Sequence, residues 1–157
     1  MKIVSSSPSS TKKIAAAFAT KILKTGTKNK SALAVGLIGE LGSGKTTFVQ
    51  SFAKKLGIKQ NLPSPTFVLM RNYESRIKNR EHYKNLCHID CYRIKKIDEL
   101  KTLNLAVVFR NPRNIVLIEW ADKIKKSLPK NTIWINFEHG KKENERIIKM
   151  PIPVKIK

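Results

Sequence analysis

The chain has few of the residues that mark secreted or membrane-spanning proteins. Only two cysteines, Cys87 and Cys91, occur in 157 residues, so a disulfide framework of the secreted kind is excluded. No apolar stretch is long enough to span a bilayer, and Lys21 interrupts the alanine-rich N-terminal segment. These absences, together with a length that suits one hydrophobic core, predict a cytoplasmic protein with no membrane contact and a single domain, residues 1–157.

Acidic residues are also scarce, with 11 Asp and Glu against 32 Lys and Arg, which gives a net charge of +21. This charge suits a polyanionic partner such as tRNA. It also fits A/T-rich coding, because most of it is lysine and the chain is rich in Ile and Asn. The lysines are spread along the chain, with no basic run interleaved with aromatic residues, so the sequence leaves both interpretations open.

Residues 39–46, Gly-Glu-Leu-Gly-Ser-Gly-Lys-Thr, match the phosphate-binding P-loop pattern at every fixed position. An apolar run at 33–38 precedes them as a buried strand would, and apolar residues with helical spacing follow as far as Leu56, before a capping Gly57. The loop glycines allow backbone N–H groups to face a phosphate at the N-terminus of the helix. The predicted nucleotide contacts of this loop are Glu40, Leu41, Gly42, Ser43, Gly44, Lys45, Thr46 and Thr47. Within this set, Lys45 is expected to neutralise the β and γ phosphates of ATP and the Thr46 hydroxyl to bind Mg²⁺.

The remaining pattern alternates helices and strands. A helix is predicted from a cap at residues 9–11 to about Lys24, and strands at 67–73, 86–92 and 115–118. A short helix is expected at 97–103, and a hairpin from residues 132–137 and 146–150. The fold class is therefore α/β, a P-loop NTPase-like sandwich with a central, mostly parallel sheet and a C-terminal hairpin.

Two acids are candidates to work with the loop. Glu119 follows four apolar residues, 115–118, as the acid of a Walker B strand does, and such a carboxylate serves Mg²⁺ or its waters. Asp90 lies in the predicted strand 86–92, where alternation places the apolar Cys87, Ile89 and Cys91 on one face and His88, Asp90 and Tyr92 on the other. A buried carboxylate needs a partner, and Mg²⁺ or a nearby cation would be one for Asp90.

The sequence leaves open the roles of the residues next to these two acids. Cys87 and Cys91 would stand roughly 13 Å apart on a strand, too far to share a zinc ion that needs ligands at about 2.3 Å. Ordinary packing explains His88 and Tyr92 as well as function does. Arg93 suits a phosphate, Asp90 or a surface ion pair, and Trp120 suits either the nucleotide site or the core.

Four segments together resemble the TsaE family of small bacterial P-loop ATPases: 39–47, Ser64-Pro65-Thr66-Phe67, His88-Ile89-Asp90-Cys91-Tyr92-Arg93 and Glu119-Trp120-Ala121-Asp122. The resemblance implies an accessory ATPase of tRNA threonylcarbamoyladenosine synthesis that joins a TsaD–TsaB complex. It further implies that Asp90 and Glu119 are catalytic and, with Thr46, serve the metal and the attacking water. Residues 64–66 would form a nucleotide-sensing loop, with Thr66 contacting the nucleotide. Whether tRNA contacts this subunit, directly or indirectly, stays open. Asn104 departs from the family, which usually has Gly there, so the local backbone is expected to differ.

Two other functions remain open from the residues alone. A small-molecule kinase would use the same loop, although no arginine-bearing lid follows the P-loop helix. A nucleotide-gated binding module, in which hydrolysis only resets a switch, is the alternative from a different class. The sequence also leaves open which of Asp90 and Glu119 contacts Mg²⁺ directly.

Overall fold

A computed structural model describes residues 1–25, 30–60, 62–65, 68–75 and 82–156 of the chain. Its seven strands are β1 (Lys2–Ser5), β2 (Leu33–Ile38), β3 (Met70–Glu74), β4 (Asn85–Asp90), β5 (Asn114–Glu119), β6 (Ile133–His139) and β7 (Arg146–Lys149). The α-helices are α1 (Pro8–Thr25), α2 (Lys45–Lys55) and α3 (Leu105–Arg110), and two 3₁₀ helices span Ile97–Leu103 and Ala121–Ser127. Thr66, Phe67 and most of the polar stretch after Glu74 fall outside the described residues.

All seven strands form one sheet in the order β1-β7-β6-β2-β5-β4-β3. The central strands β6, β2, β5 and β4 are parallel, whereas the edge pairs β1/β7, β6/β7 and β3/β4 are antiparallel. The α/β class, the mostly parallel centre and the C-terminal hairpin of β6 and β7 are thus confirmed. The parallel register aligns the carboxyl ends of β2, β5 and β4, where open α/β sheets place their ligand sites.

Side chains alternate across the sheet and fill two separate cores. On one side, α1 and α2 bury residues such as Phe18, Phe48 and Phe52 against β2 and β5. On the other side, Cys87, Ile89 and Cys91 pack together with residues of α3 and both 3₁₀ helices, as the predicted alternation requires. His88 and Asp90 therefore point to the side of the sheet that carries α2.

Local hydrogen bonding explains where the helices begin and end. The cap of α1 is Ser7, whose Oγ accepts the Ser10 N–H at 3.1 Å, so the predicted cap at 9–11 was wrong by one turn or less. After α2, Gly57 has a φ of 75°, and the N–H groups of Gly57 and Ile58 bond back to Lys54 and Ala53. This pattern is a Schellman motif and confirms the predicted glycine cap.

Two predicted strand boundaries and three other elements need correction. The described part of β3 begins at Met70, three residues after the predicted start, and β4 ends at Asp90, two residues before the predicted end. Residues 97–103 form a 3₁₀ helix. The short strand β1 and the 3₁₀ helix Ala121–Ser127 were not predicted. Asn104 has φ 44° and ψ 50°, the left-handed conformation that glycine adopts freely and that Asn tolerates better than most residues. None of the helices in the described ranges is long and apolar enough to cross a membrane.

Candidate active site

The glycine-rich loop between β2 and α2 has the backbone conformation that its sequence predicts. Gly42 has a φ of 75° and Gly44 a φ of 98°, values that L-residues with side chains rarely adopt. Helix α2 starts immediately afterwards at Lys45. The first N–H groups of α2 have no partner within the helix, and they lie at its positive end. The loop therefore presents donors suited to an anion.

Lys45 is buried against this loop. Its side chain is 4% exposed, and its ammonium donates to the carbonyl oxygens of Gly39 at 2.6 Å and Glu40 at 2.8 Å. The ammonium also lies 4.0 Å from the ring centroid of Trp120. Burial lowers the pKa of Lys45 below its ordinary value, although the nearby carboxylates, of which Glu119 is the strongest, act in the opposite direction. A phosphate arriving here would meet a cation that has already lost most of its water.

Glu119 ends β5 and is held by two side chains. Thr46, at the start of α2, donates its hydroxyl to Glu119 Oε2 at 2.8 Å. On the neighbouring strand β4, His88 Nε2 lies 2.9 Å from Glu119 Oε1, and both side chains are buried. The bond requires a proton on His88 Nε2, since a carboxylate can only accept. The Glu119 carboxylate is thereby oriented toward the loop.

His88 has a contact that sequence reasoning missed. From the sequence, ordinary packing and a functional role explained this residue equally well. In the structure its ring is fully buried and is hydrogen-bonded to the candidate catalytic acid. Its other nitrogen, Nδ1, is buried without a hydrogen-bond partner in the described part of the chain. An unpaired buried polar atom is unfavourable, typically by about 1–3 kcal/mol, so packing alone would favour an apolar residue here. The only sequence signal was the side-chain alternation that placed His88 and Asp90 on one face.

Asp90 ends β4 directly beside Glu119, with which it is paired in the register of the sheet. Asp90 Oδ1 accepts the Tyr92 N–H at 2.8 Å, and Ser64 donates its hydroxyl to Asp90 Oδ2. The loop that contains Ser64 is thus tied to the candidate metal site through its own side chain. The structure brings Asp90, Glu119 and Thr46 together, as the sequence predicted.

Trp120 follows Glu119 with a φ of 56° and a ψ of 40°, a conformation that is strained for a non-glycine residue. Its ring lies 5.1 Å from the Tyr92 ring, centroid to centroid, and the Lys123 ammonium lies 5.8 Å from its centroid and bonds to the Tyr92 carbonyl. With Lys45 stacked on it as well, Trp120 forms a wall of the site. Trp120 thus lines the cleft and also packs against the second core, so it combines the two alternatives.

These groups surround one cleft of about 440 Å³. Its lining contains most of the predicted site residues together with the aromatic wall: Leu41, Gly42, Ser43, Gly44, Lys45, Thr46, Thr47, Ser64, Asp90, Tyr92, Arg93, Glu119 and Trp120. Glu40 contributes its carbonyl oxygen to Lys45 and does not line the cleft. Thr66 lies outside the described residues, so its predicted contact stays a prediction.

The C-terminal hairpin also holds the loop, which the sequence gave no reason to expect. His139 on β6 donates from Nε2 to the Leu41 carbonyl at 3.1 Å, and Arg146 on β7 donates from Nε to the Gly42 carbonyl at 3.0 Å. A second cavity of about 80 Å³ lies beside these contacts and is lined by Ser7, Pro8, Thr11, Gly42, Gly44, Thr47, Asn144 and Arg146. No linear motif connects residues so far apart in the chain.

The donor set fits Mg²⁺ better than a transition metal. Thr46, Asp90 and Glu119 offer oxygen atoms, and Mg²⁺ prefers few protein oxygens together with waters and phosphates. Across the described residues there is no cluster of three or more His, Cys, Asp or Glu side chains that would hold a metal by itself. The cysteines are elsewhere: burial raises the pKa of Cys87 to about 11 and that of Cys91 to about 12, as in inert core thiols.

Comparison with known proteins decides the family. The family model described as "Threonylcarbamoyl adenosine biosynthesis protein TsaE" matches residues 5–148. The chain belongs to the TsaE family. Among its relatives is the tRNA threonylcarbamoyladenosine biosynthesis protein TsaE of Bacillus subtilis, 37% identical over 63% of this chain and 57% of the relative. The Haemophilus influenzae protein of the same name is 34% identical over 78% of this chain and 72% of its own.

A solved structure agrees with this membership. The crystal structure of Bacillus subtilis YdiB matches with a TM-score of 0.69 and 29% identity, over 96% of this chain and 83% of that one. The sequence match with the Bacillus subtilis relative spans little more than half of that relative's length. The structural match spans nearly the whole of this chain. This member of the TsaE family therefore has the P-loop fold in the part of the chain that the structure describes.

Proposed function

We propose that this TsaE protein binds ATP with Mg²⁺ in the cleft and hydrolyses it, as an accessory subunit of tRNA N6-threonylcarbamoyladenosine modification together with TsaD and TsaB. The observation that carries the proposal is the placement of Glu119. Its carboxylate is buried at the end of β5 and is bonded at once to the first hydroxyl of α2 and to His88. A carboxylate that lay in solvent at the end of a strand would need neither of these hydrogen bonds.

Each part of the cleft has a role in this proposal. The loop N–H groups and Lys45 bind the phosphates, and Thr46 and Glu119 supply oxygens for Mg²⁺. Bound Mg²⁺ supplies charge neutralisation at the phosphate oxygens. Asp90, at the neighbouring strand end, orients the attacking water or a metal-bound water.

The mouth of the cleft supports dependence on a partner. Leu41, at the outer end of the loop, is 71% exposed, and Tyr92 is exposed on the opposite rim. Large apolar side chains around a polar cleft are typical of a surface that another protein covers. P-loop enzymes often complete the surroundings of the γ-phosphate with a partner, so we expect slow hydrolysis by the isolated subunit.

The test is the ATP hydrolysis rate of the purified protein alone and after addition of TsaD, TsaB and tRNA. Glu119→Ala serves as the control for contaminating ATPase. Stimulation that the variant lacks is the expected result. Bound ATP without stimulation would contradict the proposal and favour a kinase with another acceptor. A partner affinity that depends on nucleotide, with no hydrolysis, would favour the nucleotide-gated module.

A further inference from the structure

The outer surface of α1 and α2, with the turn that follows α2 up to Leu62, is here called the helical face. It carries exposed lysines on both helices and on the turn: Lys12, Lys13, Lys21, Lys24, Lys54, Lys55 and Lys59. The sequence from Met1 to Pro65 contains a single acidic residue, Glu40, which lies in the glycine-rich loop. The described residues of α1, α2 and the turn therefore include no carboxylate.

The opposite face of the sheet is also basic, but its charges are mixed. Asp98, Glu99 and Asp122 are exposed there among the lysines, and Lys101 forms an ion pair with Asp98 at 2.7 Å. Another ion pair, Lys149 with Glu138 at 2.5 Å, lies on the C-terminal hairpin. A net charge that came from coding bias alone would give no reason for α1 and α2 to lack acidic residues.

The two helices hold their lysines on one continuous surface. Ser51 on α2 donates its hydroxyl to the carbonyl of Lys12 on α1 at 2.8 Å, which joins the helices where charges from both meet. At the end of α2 and in the turn after it, a surface groove of about 620 Å³ is lined by Gln50, Lys54, Gly57, Ile58, Lys59, Gln60 and Leu62. Lysine ammonium groups and glutamine amides are side chains that contact phosphate and sugar oxygens.

The helical face lacks the features of other binding surfaces. In the described part of the chain, none of the exposed large apolar side chains belongs to α1 or α2. A protein partner or an inserted lipid surface would use such side chains, and base stacking would need exposed aromatics. Charge without apolar or aromatic anchors suits an anionic backbone that is read by shape.

We propose that the helical face of this protein binds the sugar–phosphate backbone of structured RNA, with tRNA as the substrate class that its family membership indicates. The contact is independent of base sequence, because lysines and amides here have no groove-reading geometry of their own. It lies on the outer side of the helices, and the cleft lies at the carboxyl ends of the strands. RNA and nucleotide can therefore be bound at the same time.

The test measures binding of an unmodified tRNA transcript to the full chain by fluorescence anisotropy, without nucleotide, over a salt titration. The test variant is Lys54→Gln, Lys55→Gln, Lys59→Gln. The matched control, Lys125→Gln, Lys126→Gln, Lys130→Gln, removes the same charge from exposed residues at and just after the 3₁₀ helix of the opposite face. We expect the test variant to bind about tenfold more weakly and to lower the slope of log affinity against log salt by about 2–3, with the control changed less than about threefold.

Three results would overturn the proposal. Equal weakening of both variants would show that the total charge of the protein attracts the RNA and that the helical face has no special part in binding. Absence of binding at about 0.15 M salt would show that the charge has no RNA partner. Binding to phosphatidylserine vesicles with none to tRNA would assign the face to membranes. ATP affinity, measured separately on the same variants, should stay unchanged, so failure of the ATPase proposal would leave this result standing.

Discussion

Replacing Glu119 separates its role in the fold from the role in hydrolysis that we propose for it. In Glu119→Gln, the amide oxygen can still accept from Thr46, and the amide NH₂ can donate to His88 Nε2 once the ring proton moves to the partnerless Nδ1. Both hydrogen bonds survive, so we expect the free energy of unfolding to fall by less than about 1 kcal/mol.

Glu119→Ala lacks this compensation. It leaves His88 Nε2 buried beside a second unpaired nitrogen and removes the acceptor of Thr46. At about 1–3 kcal/mol for each buried polar group without a partner, the free energy of unfolding should fall by roughly 2–4 kcal/mol. Urea denaturation of the two variants measures the difference.

Hydrolysis should fall in both variants. A group that orients water or metal in the transition state contributes about 10²–10⁴-fold, which is roughly 3–5 kcal/mol of the barrier. Single-turnover hydrolysis in the presence of the partners measures this loss, and calorimetry checks that ATP still binds. A Glu119→Gln protein that hydrolyses ATP within about threefold of the unchanged protein would refute the assignment. Equal destabilisation by Gln and Ala would refute the hydrogen-bonding account of the fold.

Four further predictions follow from the site and the core. Lys45→Met should raise the Kd for ATP at least about 100-fold by calorimetry, because the desolvated ammonium is lost; a Kd within about threefold would contradict this. Arg146→Ala frees the Gly42 carbonyl and should raise that Kd by about three- to tenfold, whereas an unchanged Kd would remove the hairpin from the site. Gly36→Ala places a Cβ 2.8 Å from the Trp134 ring and should cost about 1–3 kcal/mol in urea unfolding, unless the ring can move. Both cysteines should resist alkylation at about pH 8 until the protein unfolds, because burial raises their thiol pKa values; mass spectrometry of the labelled native protein checks this, and rapid labelling would contradict it.

Local patterns were enough for most of the elements. The run before the glycine-rich loop, the apolar spacing after it and Gly57 correctly placed β2, α2 and its end, because each depends on neighbours in the chain. Boundaries failed where tertiary contacts decide them. The Ser7 cap and the 3₁₀ geometry of Ile97–Leu103 have competing local solutions of similar energy, and packing selects between them.

The candidate acids were predictable because strand ends and side-chain alternation are properties of the sequence. Glu119 follows a buried apolar run, and Asp90 alternates with Ile89 and Cys91, so both were placed at the right edge of the sheet. The packing of Trp120 against Lys45 was not predictable, since its strained backbone has no signature in residue type.

The sequence by itself determined the glycine-rich loop, the α/β class and the family, because these rest on residue types at fixed short spacings. Only the tertiary structure decided that His88 orients Glu119, that His139 and Arg146 hold the loop, and that the lysines of α1 and α2 lie on the same side of the sheet. Those features join residues distant in the chain, or depend on which side chains reach the same surface. The physical reason is that strand pairing and helix packing set these distances, and no local pattern of residues encodes them.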